Sequence, residues 1–288
     1  MALGVYNVYA EKQYSTHFYV QIGCYMDTTD IFLNKLYSEK KLYSSLADIF
    51  QRPDITDPNS LCSYLNSISE PVNFRVYISS EEVNDTPAEE AEHVFRTAAE
   101  TNEKIDAEFI IDEFLNLIDD NNRITSQSVP RSIVHRSGML HPTVHIWFIR
   151  RRDMGVSVLL QKRAHEKDIC PDCYDVSAAG HVSQGAEFRH TALREIHEEL
   201  GIEIPSNKLE FIGIRHNEHI EGDIDDSELV AVYIYRGDVH RAEMTLQESE
   251  VSEVCWAEID ELISLMKHDR IKCCVSLDEL TMVKKAVY

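Results

Sequence analysis

Residues Gly180–Ile202, GHVSQGAEFRHTALREIHEELGI, place Glu195, Glu198 and Glu199 close together at the end of one segment. From about Arg189 to Leu200 the composition favours helix, and Gly201 stands where a C-cap glycine belongs. In that helix the three glutamates are related by i, i+3 and i+4 and share a face, while Ala192 and Ile196 can pack inward with Leu193 or Leu200. Like charges at this spacing repel, and carboxylates near a helix C-terminus oppose its dipole. A solvated acidic face is the ordinary outcome of three such glutamates. A divalent cation would instead make the arrangement favourable, because hard ions such as Mg²⁺ take oxygen ligands and commonly bridge to substrate phosphates.

The chain around this segment is an ordinary soluble composition of 288 residues, 43% hydrophobic and 27% charged. Its length suits two domains of roughly 100–180 residues, each able to bury a core. The net charge of −22 disfavours nucleic acid and anionic membrane as partners. A polyphosphate substrate would then require bound metal ions, or Arg and Lys gathered at one site. The N-terminal MALGVYNVYAEK has no basic stretch followed by an apolar one, so no signal peptide is expected. No apolar run reaches the roughly 18 residues of a membrane span. Seven scattered cysteines fit reduced thiols, and the expected localisation is cytoplasmic.

Residues 1–105 read as a smaller α/β domain. HFYVQIGCY (residues 17–25) and VNFRVYIS (Val72–Ser79) have strand composition. Asp30–Phe50 sets Ile31, Leu33, Leu36, Leu42, Leu46 and Phe50 at roughly helical spacing. TPAEEAEHVFRTAAE predicts a helix to about Asn102, with Thr86 as N-cap, Pro87 in the first turn and Glu89 completing a capping box. From about residue 106 the pattern changes. FIIDEFLNLID is apolar and alternating, and DDNNRIT reads as a turn. TVHIWFI (Thr143–Ile149) and VSVLLQ (Val156–Gln161) are strands joined by RRDMG, and ELVAVYIY (Glu228–Tyr235) is another. SEVCWAEIDELISLMK begins as a strand and turns helical near Glu258. Such a mixed sheet flanked by helices would contain Gly180–Ile202.

The stretch resembles the signature of the Nudix hydrolase family: Gly, five residues, Glu, seven residues, Arg-Glu, an aliphatic, any residue, Glu-Glu, any residue, Gly, an aliphatic. Gly180, Arg194, Glu195, Ile196, Glu198, Glu199, Gly201 and Ile202 all fall at the required spacing. The resemblance implies a Nudix α/β/α sandwich with a mixed sheet over residues 106–288. It also implies Mg²⁺ or Mn²⁺ held by Glu195, Glu198 and Glu199 against a diphosphate, with Arg194 bracing the loop through an ion pair. One position departs. The motif's first glutamate falls at Ala186, and Glu187 stands one residue late, where it becomes a metal-site candidate only if the loop shifts.

The resemblance runs over roughly Glu113–Leu265 and is closest to the branch related to isopentenyl diphosphate isomerase, through LLQKRAHEKD, DVSAAGHV and VHRSGMLHPTVHIWFI. It implies that Arg163 and Lys167 lie near the phosphates together with Gly180 and His181, with solvated strand-end charges an equal alternative for the two cations. An isomerase is therefore an alternative, with His135 and His141 upstream. The isomerases use a cysteine before the Gly-His pair, however, and here the residue is Ala179, so His135 and His141 are expected to pack rather than to ligate. Downstream, Glu250 is the candidate general base or further ligand within the acidic run Gln247–Glu253. Cys170 and Cys173 form a Cys-x-x-Cys pair, read as pocket-lining, with half a zinc site or a redox couple as alternatives. The expected activity is metal-dependent hydrolysis of a diphosphate linkage in a nucleoside diphosphate joined to another group. A non-catalytic nucleotide-binding module is a further alternative, favoured by Ala186. The partner is a small-molecule diphosphate, and a homodimer is left open.

Overall fold

The computed structural model describes residues 28–35, 37–80, 87–152, 155–167, 169–222 and 224–288. The predicted strand at 17–25 and the Thr86 N-cap lie outside the described residues. The chain divides into two compact units, residues 1–115 with 119–134, and residues 116–118 with 135–288.

The first unit is built on three parallel strands in the order β1 (Thr28–Leu33), β2 (Val72–Ser79) and β3 (Ile105–Asp112), with helices α1 (Glu39–Ile49), α2 (Pro58–Asn66) and α3 (Pro87–Thr101) between them. Its core gathers Ile31, Leu33, Leu42, Leu46, Leu61, Phe74, Val76, Phe95 and neighbours. Two expectations need correction. Ile31 and Leu33 belong to a strand, because the helix begins only at Glu39 after a break. The first unit also extends past residue 105, since Ile105–Asp112 pairs with β2 along its whole length. The Asp/Asn turn is present: Asp119 Oδ1 accepts from Asn121 N–H and Arg123 N–H, both at 2.9 Å. It joins β4 (Phe114–Ile118) to β5 (Ile124–Pro130), which pair as a two-stranded sheet ahead of α4 (Arg131–Ser137).

The second unit is a mixed sheet. Its strands are β6 (Leu140–Arg152), β7 (Gly155–Arg163), β8 (Tyr174–Asp175), β9 (Ala178–His181), β10 (Leu209–Glu221), β11 (Ile224–Arg236) and β12 (Val251–Glu258). The order is β10-β11-β6-β7-β12, with β8 on β7 and β9 on β6, and among these strand pairs of the described residues only β11–β6 is parallel. Alternation along β6 gives each face its own layer. Trp147 and Ile149 join the core formed with α6 (Ile259–Lys267) and α7 (Leu277–Val287). Val144, Ile146 and Phe148 are buried on the other face, and helix α5 (Phe188–Leu200) packs against β6 and β9. This is the expected α/β/α sandwich. No helix among the described residues is long and apolar enough to cross a membrane.

A charged network ties α7 to the sheet. Glu279 is fully buried and accepts from His145 Nδ1 at 2.9 Å, Trp147 Nε1 at 2.8 Å and Arg215 Nη1 at 3.0 Å. Burial alone would lower the His145 pKa, but the Glu279 carboxylate outweighs it and raises the imidazole from 6.5 to about 9. Burial likewise acts to raise Glu279, yet His145, Trp147 and Arg215 hold it below the ordinary carboxylate range. Folding therefore favours the charged imidazole, so this contribution is complete below pH 6.5 and fades as pH rises to about 9. Melting curves should show Tm falling over that window in the wild type and a flatter profile in Glu279→Gln. At neutral pH that variant should lose about 3–5 kcal/mol, the cost of leaving buried charge unpaired. Equal slopes and equal stability in the two proteins would contradict the network's role.

Candidate active site around the carboxylate helix

Helix α5 ends as its sequence requires. Gly201 adopts φ +68°, the left-handed C-cap, and its N–H donates to His197 O at 2.9 Å. A Cβ there would meet the Thr245 backbone oxygen at 2.6 Å, so only glycine fits. The last carbonyls are capped from another segment: Thr245 N–H donates to Leu200 O at 2.9 Å and Gln247 N–H to Glu199 O at 3.1 Å. The end of α5 is thereby fixed to the segment that carries Glu250.

The three glutamates separate by environment. Glu195 and Glu199 are buried, at 8% and 6% exposure, whereas Glu198 is exposed. A Cβ at Gly180 would lie 2.1 Å from Glu195 Oε1, so the glycine of β9 is a cradle for that carboxylate. Arg194 bonds Glu195 Oε1 and Glu198 Oε2, both at 2.6 Å, and its Nη2 donates to His181 O at 3.4 Å. The arginine thus braces both glutamates and touches the loop through one backbone oxygen. Glu199 Oε2 accepts from Ala179 N–H at 3.1 Å and Gln161 Nε2 at 3.4 Å. Burial first, then Glu195, Asp175 and Glu250, raise the Glu199 carboxyl well above its ordinary value. A buried acid surrounded by acids is the electrostatic condition that a cation relieves.

Cations flank this centre at the end of β7. Arg163 Nη1 lies 3.1 Å from Asp175 Oδ2, and Arg163 Nε donates to Ile169 O at 3.0 Å. Lys167 pairs with Glu250, and Ala164 N–H donates to Glu250 O at 2.9 Å. Glu195, Glu199, Glu250, Arg163 and Lys167 therefore belong to one connected region. Asp175 and Gln161 complete it and were not identified in the sequence. A buried aspartate opening the apolar run DVSAA, and a glutamine ending VSVLLQ, are the signals that could have found them. Glu187 stands apart. It occupies the exposed N-cap position of α5, with its side chain unused as a cap. At 1.5 Å per residue it is roughly 12 Å from Glu195 along the helix axis.

His181 also belongs to a second grouping. Its Nε2 is 3.1 Å from His135 Nε2, and the rings of His135, His141 and His181 lie within 5.0–5.2 Å of one another. Their ligand atoms are close enough together to hold a metal ion, and Asp226 is 3.5 Å from His141 Nε2. The sequence had marked His135 and His141 as packing groups.

The second unit is thus a mixed-sheet sandwich that presents a carboxylate helix beside a cationic strand end. Residues 139–273 match the NUDIX domain family. An uncharacterized Nudix hydrolase of Clostridium acetobutylicum is 38% identical over 151 residues, 52% of this chain and 72% of that protein. Nudix hydrolase 3 of Arabidopsis thaliana is 32% identical over 154 residues, covering 52% of this chain and 20% of that protein. A solved structure from Deinococcus radiodurans covers 59% of this chain and 98% of its own, at 19% identity and a TM-score of 0.45. The chain belongs to the Nudix family.

The Gly180 cradle can be tested directly. A methyl group there meets Glu195 Oε1 at 2.1 Å and its Cδ at 2.2 Å, so Gly180→Ala should destabilise the protein by about 1–3 kcal/mol in urea unfolding. Wild-type stability in that variant would show that Glu195 does not occupy the cradle.

Proposed function

We propose that the second unit hydrolyses a diphosphate linkage in a small molecule, a nucleoside diphosphate joined to another group. The observation that carries this reading is the burial of Glu195 and Glu199 at the end of α5, with Glu199 driven toward its protonated form first by that burial and then by neighbouring carboxylates. The donor set is all oxygen, which suits Mg²⁺ or Mn²⁺. Glu195, Glu198 and Glu199 would hold the ion, with Glu187 too distant to join them. A bound ion of this kind supplies Lewis-acid polarisation of the phosphoryl group and neutralises charge on the leaving phosphate.

The remaining work falls to side chains of the chain itself. Ala179 N–H and Gln161 fix the Glu199 carboxylate, and Arg194 keeps Glu195 and Glu198 in place. Arg163 and Lys167 are the cations available to substrate phosphates in a chain of charge −22. Lys167 and Glu250 neutralise each other in the structure. A phosphate that draws Lys167 away leaves Glu250 as the proton acceptor for the attacking water. The cytoplasm, with its reduced thiols, is the compartment proposed for this activity, and six cysteines among the described residues are free.

A second reading has its own observation. The cluster of His135, His141 and His181 would suit the isoprenoid diphosphate isomerase alternative, whose thiol acid/base is replaced by Ala179. One experiment separates the readings. Phosphate and nucleotide release is measured over a panel of diphosphates with Mg²⁺ or EDTA, alongside an isomerisation assay. Metal-dependent release that falls more than ~100-fold in Glu199→Gln, beyond the loss typical of groups that merely orient a ligand, supports the hydrolase. Isomerisation without release would overturn it. Ligand-induced thermal shifts without any turnover would identify a binding module instead.

A further inference from the structure

Cys170 and Cys173 lie in the segment between β7 and β8, and Cys274 lies far downstream in the loop ahead of α7. The structure brings the three Sγ atoms within 4.8 Å of one another, and all three thiols are free. Main-chain bonds build this convergence. Arg163 N–H donates to Cys173 O, Tyr174 N–H to Lys272 O and Cys274 N–H to Tyr174 O, each at 2.9 Å. Tyr174 and Cys273 also form a parallel bridge. The end of β7, β8 and the loop before α7 are therefore laced together independently of the thiols.

The Cys-Pro-Asp-Cys turn is closed by Cys173 N–H donating to Cys170 O at 3.4 Å. Cys170 and Asp172 take φ +49° and +61°, left-handed values that cost non-glycine residues free energy. Two such residues in one four-residue turn, at the place where three thiols meet, mark a backbone shaped for a site. Cys273 takes the other role: it packs against the core of the second unit. Its neighbour Cys274 instead presents its sulfur to Cys170 and Cys173.

We propose that Cys170, Cys173 and Cys274 bind a zinc ion, which pins the segment after Arg163 and Lys167 to the loop ahead of α7. Zn–S bonds of about 2.3 Å in a tetrahedron set the sulfurs about 3.8 Å apart, so side-chain rotation within the observed cluster completes the geometry. Binding ionises the thiols and releases their protons to solvent. The charge of Arg163 acts on Cys170 and Cys274 and offsets thiolate charge. The fourth position is left to a neutral donor such as water. A redox couple needs only two thiols, and the third has no part in it.

The site is distinct from the acidic centre and from the three imidazoles, and the test separates them. Zinc content is measured on the intact chain, and the metal-free chain is titrated with Co²⁺ while thiolate-to-cobalt charge-transfer absorption is followed. The expected results are stoichiometric zinc, an intense thiolate band with tetrahedral visible bands, and loss of both in Cys170→Ser and Cys274→Ser. Cys255→Ser, outside the cluster, and Glu199→Gln should retain them. Should a serine variant fail to fold, the wild-type cobalt spectrum and the loss of three reactive thiols on zinc addition decide the matter. Absence of the thiolate band, zinc retained in Cys274→Ser, or a Cys170–Cys173 disulfide in freshly isolated protein would overturn the proposal.

Discussion

The close approach of α5 to β9 is the constraint on which the site depends. Glu195 occupies the volume that any side chain at Gly180 would fill, and Glu199 reaches the next peptide, Ala179 N–H, on the same strand. Neither contact survives if the helix rides higher on the sheet. The helix is held down by Ala192, Ile196 and Leu200, all fully buried, and by the capping of its final carbonyls from Thr245 and Gln247. Hydrophobic burial and carbonyl capping thus offset the cost of placing two carboxylates where water is scarce. The same capping carries Glu250 to the region, so position of the helix and composition of the site are one problem.

Charge is managed locally against an acidic background. Arg194 is divided between Glu195 and Glu198, Arg163 answers Asp175, and Lys167 answers Glu250. Glu199 is the group without a cation in this arrangement of pairs, its bonds being to an amide and a side-chain amide. That inequality gives the site a direction: the carboxyl without a cation is buried, with basic side chains nearer the surface. Under the proposed function, a diphosphate would meet the bases first and the deep acids through a divalent ion.

Much of this was legible in the sequence, and the limits have physical causes. Helix α5, its glycine cap and the strands around Thr143–Ile149 and Glu228–Tyr235 are local patterns whose periodicity is decided within a few residues. The motif spacing located the glutamates for the same reason. Ile31 and Leu33 were assigned to a helix because a short apolar run fits either period, and the break before Glu39 is a weak signal. Strand β10 was missed because its alternation is broken by the bulge between Phe211 and Gly213 and by the polar run Arg215–His219. The burial of Glu195 and Glu199 against the exposure of Glu198, the pairing of Cys274 with Cys170, and the Glu279 network all depend on contacts across the fold. No spacing encodes them.

The central claim is that the deep carboxylates of α5 constitute a divalent-cation site, and Mn²⁺ binding followed by electron paramagnetic resonance tests it most directly. The account predicts that the wild-type chain takes up Mn²⁺, that Mg²⁺ displaces it, and that the Glu195→Gln, Glu199→Gln double variant binds it at least ~10-fold more weakly while keeping its circular dichroism spectrum. Mn²⁺ bound as tightly by the folded double variant as by the wild type would contradict the account.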